Sequence, residues 1–146
     1  MDNKKSMLLN EAQKRSLSTS LRLLEERIHF IELLLSHGSY HGILLNLEVD
    51  LNNGKIKELQ TLLLKIRNDL KEFKRCFDLK EKTLTLNSVL NSTATYFWTV
   101  LEDERPKKLK RYGRVHSSLS TVLSPLLDEL IANLIELASV TNRIDK

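Results

Sequence analysis

Cysteine occurs once in this chain of 146 residues, at Cys76. A lone cysteine excludes an intramolecular disulfide and any zinc site built from cysteine pairs, and it points to a reducing, cytoplasmic setting. Proline occurs twice and glycine four times, which leaves little material for the many tight turns of a sandwich or barrel. Four glycines also leave no Gly-rich phosphate loop and no nucleophile elbow, since both need glycine at fixed spacing. Long uncharged runs are rare too. The longest, Thr83–Leu101, is nineteen residues, but nine of them are Asn, Ser or Thr, which hydrocarbon would penalise. The apolar patch at Leu8–Leu9 is too short for a signal peptide's apolar region. No membrane partner is expected.

What the chain does have is leucine, thirty-one in all, arranged at helical spacing. Leu17, Leu21, Leu24, Ile28, Ile31 and Leu35 alternate steps of four and three, the seam of a packed helix from about Asn10 to Ser36. Asn10 is the expected N-cap and Gly38 the expected stop. Ile56, Leu59, Leu63, Ile66, Leu70, Phe73 and Phe77 keep a heptad rhythm through a helix from about Gly54 to Asp78. Leu86, Leu90, Ala94, Phe97 and Leu101 stripe a helix over roughly 81–103. The last begins near Pro106, a favourable first-turn residue, and continues through Leu109, Tyr112, His116, Leu119, Leu123, Leu126, Leu130, Leu134 and Leu137. Pro125 interrupts it and predicts a kink.

Residues 39–53 carry two signals. Tyr40, Ile43, Leu44, Leu47 and Leu51 fit one helical face, while Leu45–Leu51 alternates strictly, as a strand does. An isolated two-stranded ribbon is marginal, so a short helix is expected. The expectation is therefore an all-α fold. It is an antiparallel helical bundle of four long helices plus one short helix, the last helix kinked at Pro125. A flexible N-terminus over 1–9 precedes a single domain over 10–142, a length at which folding buries roughly 70% of the chain's surface.

The net charge of +4 is unevenly distributed. Arg105, Lys107, Lys108, Lys110, Arg111 and Arg114 fall within residues 105–114, which hold no acid, while the other 136 residues carry 17 basic and 19 acidic groups. The whole basic excess sits in one stretch, the footprint expected of a polyanion or nucleic-acid contact. On a helix Lys107, Lys110, Arg111 and Arg114 would share one face.

Metal chemistry finds little support. Glu26 and His29 have the Glu-x-x-His spacing of di-iron bundles, but the chain has no second copy of the pair. His37 and His41 are four apart, with Gly38 between them breaking the helix that a chelating pair would need. No metal and no cofactor are expected. Ser117, Ser118, Ser120, Thr121 and Ser124 crowd around His116, yet no oriented base or oxyanion site accompanies them. The hexapeptide Arg111-Tyr112-Gly113-Arg114-Val115-His116 is an Arg-x4-His motif near the start of the last long helix. It resembles the signature of HEPN-type helical ribonucleases. The resemblance implies a metal-independent ribonuclease in which Arg111 stabilises phosphate and His116 is the acid/base.

Thr83–Leu101 and Val115–Leu127 contain no charged side chain, His116 counted as neutral. A helix with one face in water normally carries charge there, so these segments predict cover on more than one side. Val89, Tyr96, Trp98 and Val100, with Val122 on the last helix, are the expected contacts of a homodimer or higher oligomer. The sequence is read as a non-enzymatic helical bundle acting by binding and self-association. Nucleic-acid binding through 105–114 and the ribonuclease reading are the alternatives.

Overall fold

The structure, a computed structural model, describes residue 5 and residues 7–140. Most of the expected flexible stretch 1–9, and the last two positions of the expected domain, lie outside the described residues. The fold is all-α. Among the described residues there are five α-helices, 73% of the positions are helical, and a short two-stranded ribbon is the only sheet. No helix among these residues is long and apolar enough to cross a membrane. The chain divides into two compact units between Glu81 and Lys82.

The first unit is built on α1, Glu11–His37, and α2, Asn53–Phe77. Asn10 caps α1 as its residue type requires. Its side-chain oxygen accepts from the Gln13 N–H at 2.8 Å, and the Gln13 side chain accepts from the Asn10 N–H at 2.9 Å. This reciprocal capping box satisfies two backbone donors that the helix start leaves without partners. The helix stops at Gly38, whose φ of 81° is costly for any residue with a Cβ. Asn52 caps α2 in the same way, accepting from the Lys55 N–H at 2.9 Å. Ile28 of α1 and Leu63 of α2 are buried at the seam, with Leu17, Leu21, Ile31, Leu59, Ile66 and Leu70 half-buried beside them.

Between the helices the expected short helix is replaced by a ribbon. β1, Tyr40–His41, pairs antiparallel with β2, Asn46–Leu47, with Tyr40 opposite Leu47. The period-two alternation prevailed over the helical reading for two reasons. Gly38 has already ended the helix, and the Ser39 hydroxyl oxygen accepts from the Val49 N–H at 2.9 Å, which ties the two ends of the segment together. Ile43 and Leu44 form its tip and are 99% and 98% exposed.

Arg67 fixes how α1 and α2 run. It donates from Nε to Glu32 at 2.9 Å, makes a second, closer contact to the same carboxylate, and lies 3.7 Å from Glu25. The hydrogen bond from Arg67 holds the Glu32 carboxyl below its ordinary pKa, against the desolvation that opposes it. Further along α2, Glu72 lies within the field of Lys5, which precedes α1. Moving forward on α2 therefore means moving back toward the start of α1, and the pair is antiparallel.

The second unit is built on α3, Leu86–Glu102, the short α4, Pro106–Leu109, and α5, Leu119–Ser139. The expected continuous last helix is corrected here. After α4 comes one 3-10 turn, Lys110–Tyr112, and Gly113 at φ 143° ends it. Residues 114–118 are not helical. The break falls at glycine, which adopts that φ without strain, while Pro125 lies inside α5 and deprives the Thr121 carbonyl of its N–H partner. The seam of α5 is also rotated by one residue from the expected stripe. Leu127 and Ile131 are buried, whereas Leu126, Leu130 and Leu137 are exposed. Ala94, the buried residue of α3, is small enough to let α5 approach closely.

The end of α2 gives a sharp test of local energetics. Asp78 adopts φ 51°, ψ 51°, a left-handed conformation, so that its own N–H and that of Leu79 both reach the Lys74 carbonyl. This is a Schellman-type stop, and Leu79 is buried beneath it. Aspartate tolerates that conformation less well than glycine. Asp78→Gly is expected to stabilise the protein by about 0.5–1 kcal/mol, read as a higher urea midpoint with unchanged slope. A lower midpoint would show that the cap is not strained.

Candidate functional site

The basic stretch does not lie on one helix face. Lys107 and Lys108 sit on α4, Lys110 and Arg111 in the 3-10 turn, and Arg114 in the extended chain beyond Gly113. All five are exposed, and none forms an ion pair with a described residue. Arg111 lies over the ring of Tyr112, 4.8 Å from its centroid, and that ring is 75% exposed.

Arg105 is different in kind. Its guanidinium donates to Glu102 at 3.3 and 3.0 Å and lies 2.7 Å from a carboxylate oxygen of Asp128. The hydrogen bond from Arg105 holds the Glu102 carboxyl below its ordinary pKa, and a donor from the Trp98 indole adds to it. Desolvation and the neighbouring Asp128 charge oppose the shift. Arg105 is correspondingly held above its ordinary value, first by Glu102 and then by Asp128. A planar fork of donors shared between two carboxylates is a strong charge-assisted arrangement. It ties the end of α3 to the middle of α5, so Arg105 leaves the candidate anion site and becomes a structural clamp.

The clamp also settles the direction of α5. Glu102 stands one position after Leu101, and Asp128 one position after the buried Leu127. In two right-handed helices, positions one step after the seam share a side of the pair only when the helices run antiparallel. Arg105 reaches both, so α3 and α5 are antiparallel.

The same rule places the expected interface residues. Val89, Thr93 and Val100 each stand one position before a seam residue of α3, namely Leu90, Ala94 and Leu101. On α5, Val122, Leu126, Leu130 and Leu137 each stand one before Leu123, Leu127, Ile131 and Ala138. All of these fall on the side of the pair opposite the clamp. Val89, Val122, Leu126, Leu130 and Leu137 are exposed, and Val100 is half-buried. Leu86 and Phe97, expected in the seam, are exposed beside them, and the Tyr96 ring meets that of Phe97 edge-on at 5.0 Å. Trp98 is exposed too, but it stands on the clamp side, where its indole helps lower the Glu102 pKa, and it is not part of this apolar side.

The helix expected to carry Arg111 and His116 together is not formed, because residues 113–118 leave helical geometry. His116 has a local use. Its Nδ1 accepts from the Ser118 N–H at 3.1 Å at the entry to α5, whose N-cap Ser118 makes no side-chain cap of its own. His37 ends α1 and His41 lies in β1, on opposite sides of the Gly38 break. Among the described residues, no group of three His, Cys, Asp or Glu side chains could hold a metal ion.

Sequence reasoning missed Asp128 as the clamp's second acid and Leu126, Leu130 and Leu137 as exposed apolar residues. The Glu102–Arg105 spacing of three was a readable signal. Asp128 was not, because only the α3–α5 packing brings it near. Compared with known proteins, the chain matches no family model, no curated sequence and no solved structure.

The clamp has a defined pH signature. A carboxyl whose folded pKa lies below its unfolded one adds stability above the unfolded value and loses it as pH falls through the folded value. Stability should therefore decline as pH drops below about 4.3, the ordinary glutamate value. Arg105→Gln is expected to lower the thermal midpoint at neutral pH and to flatten that acid decline in part, since Glu32 keeps its own arginine. Equal acid slopes in the two proteins would refute the clamp.

Proposed function

We propose that this chain is a non-enzymatic helical protein that acts by binding, and that it self-associates through the apolar side of the α3–α5 pair. One observation carries the reading. Exposed apolar residues of two different helices, Leu86, Val89 and Phe97 on α3 and Val122, Leu126, Leu130 and Leu137 on α5, gather on one side of their pair, and residues 86–101 of α3 carry no charged side chain. Water-facing helix surfaces normally carry charge, and an apolar patch contiguous across two elements marks an interaction surface.

A second copy is the matching partner. A mainly apolar surface has little charge to offer a charged one, and each buried ion left unpaired is costly. The same surface on another copy presents leucine and valine to leucine and valine, and a twofold axis closes the contact without leaving a surface for further growth. Half-burying about eight such side chains on each copy contributes on the order of 15 kcal/mol, against an association cost of about 4–15 kcal/mol. A micromolar dimer fits that balance better than a permanent one.

Sedimentation should find a dimer or larger species at micromolar concentration. Leu126→Lys, at a position 60% exposed in the single chain, should dissociate it while far-UV circular dichroism stays unchanged. Val100→Lys is expected to act likewise from the facing helix. A 16.9 kDa monomer at all attainable concentrations would overturn the proposal.

A further inference from the structure

The five cations beyond Arg105 are free of structural duty, and the way they are displayed narrows what they can hold. Lys107, Lys108, Lys110, Arg111 and Arg114 lie within eight residues, all exposed, without an acidic partner among the described residues. Two acids that could have neutralised them, Glu102 and Asp128, are taken by Arg105. A cluster left uncompensated in a chain with 19 acidic groups repels itself, and a polyanion relieves that repulsion.

The local geometry separates the polyanions. Duplex DNA is read by a helix or ribbon seated in the major groove. Here α4 has four residues, and the chain after Tyr112 leaves helical geometry at Gly113, so these cations are not borne on a recognition helix. An anionic membrane favours cations flanked by aliphatic side chains that enter the interface. The aliphatic neighbours here, Leu109 and Val115, are half-buried. The one large exposed group among the cations is the flat ring of Tyr112, with the Arg111 guanidinium already over one face. Phosphate-binding cations around an open aromatic ring are the elements by which single strands are held, phosphates by charge and an unstacked base by stacking.

We infer that residues 107–114 bind single-stranded nucleic acid, with Tyr112 as the base platform and Lys107, Lys108, Lys110, Arg111 and Arg114 as the phosphate contacts. The inference is independent of self-association, since none of these residues is among the apolar positions of α3 and α5 on which that reading rests. Double-stranded recognition, which the basic stretch alone would equally allow, is set aside by the broken helix.

The test is fluorescence anisotropy of the full chain with labelled oligouridylate and oligothymidylate, set against a hairpin duplex, heparin and phosphatidylserine vesicles. Single strands should bind most tightly, with a log–log salt slope of about −3 for four to five phosphates. The combined Lys107→Glu, Lys110→Glu, Arg111→Glu and Arg114→Glu variant should lose binding while its circular dichroism and its sedimentation stay those of the parent. Tyr112→Ala should weaken single-strand binding by about tenfold without changing heparin binding, and Tyr112→Phe should restore it. Absence of binding at low salt would overturn the inference. So would equal or tighter binding of duplex, heparin or vesicles, or a Tyr112→Ala variant that binds single strands as the parent does.

Discussion

Two helices packed side by side can bury only the stripe that each turns toward the other. Every other feature of this molecule follows from that limit. Each unit owns one principal helix pair, and the seam of each pair reduces to very few fully enclosed side chains. Ile28 and Leu63 hold the first, and Ala94, Leu127 and Ile131 hold the second. The leucine content supplies more apolar positions than two seams can absorb. Much of the surplus on α3 and α5, Val89, Leu126, Leu130 and Leu137 among it, falls one step before a seam residue, and antiparallel packing gathers it on a single side. On α1 a comparable surplus of Leu23, Phe30 and Leu33 faces away from the seam, with the Arg27 guanidinium 5.7 Å above the Phe30 ring.

Arginine orients both pairs by the same device. Arg67 joins α2 to two glutamates of α1, and Arg105 joins the end of α3 to Asp128 of α5. The guanidinium suits this role because its planar fork can serve two carboxylates at once, which a lysine ammonium does less well. The flank thus carries information that leucine seams lack. A stripe of similar side chains tolerates sliding, whereas a shared guanidinium fixes which positions stand level. In the second unit the clamp also sorts the basic stretch into one structural arginine and five cations free to meet a ligand.

The hinge between those roles is a backbone event. Gly113 lets the chain leave the 3-10 turn at a φ that other residues resist, so the cations are displayed along an irregular arm. A continuous helix would have aligned Lys107, Lys110, Arg111 and Arg114 on one face and set His116 one turn beyond Arg111. The broken arm does neither. It leaves Tyr112 open to solvent, and it gives His116 the work of holding the Ser118 N–H at the start of α5.

Helix existence was legible in the sequence because it depends on short-range periodicity and on caps. Asn10, Gly38 and the heptads of Ile56–Phe77 act through neighbours within a turn or two, and the structure places those helices within one or two residues of expectation. The charge-free segments and the basic excess were legible for the same reason, since they are sums over local composition. Three things depended on tertiary structure. The seam of α5 lies on Leu127 and Ile131 because those are the positions that packing against α3 encloses, and nothing within α5 selects that stripe over Leu126 and Leu130. Periodicity left both helix and strand open at 40–47, and the ribbon prevailed because Ser39 and Val49 meet across ten residues. Arg105 met Asp128 because two helices run antiparallel at a particular level. Local periodicity determines that a helix forms, while the choice of which face it buries belongs to the partner it meets.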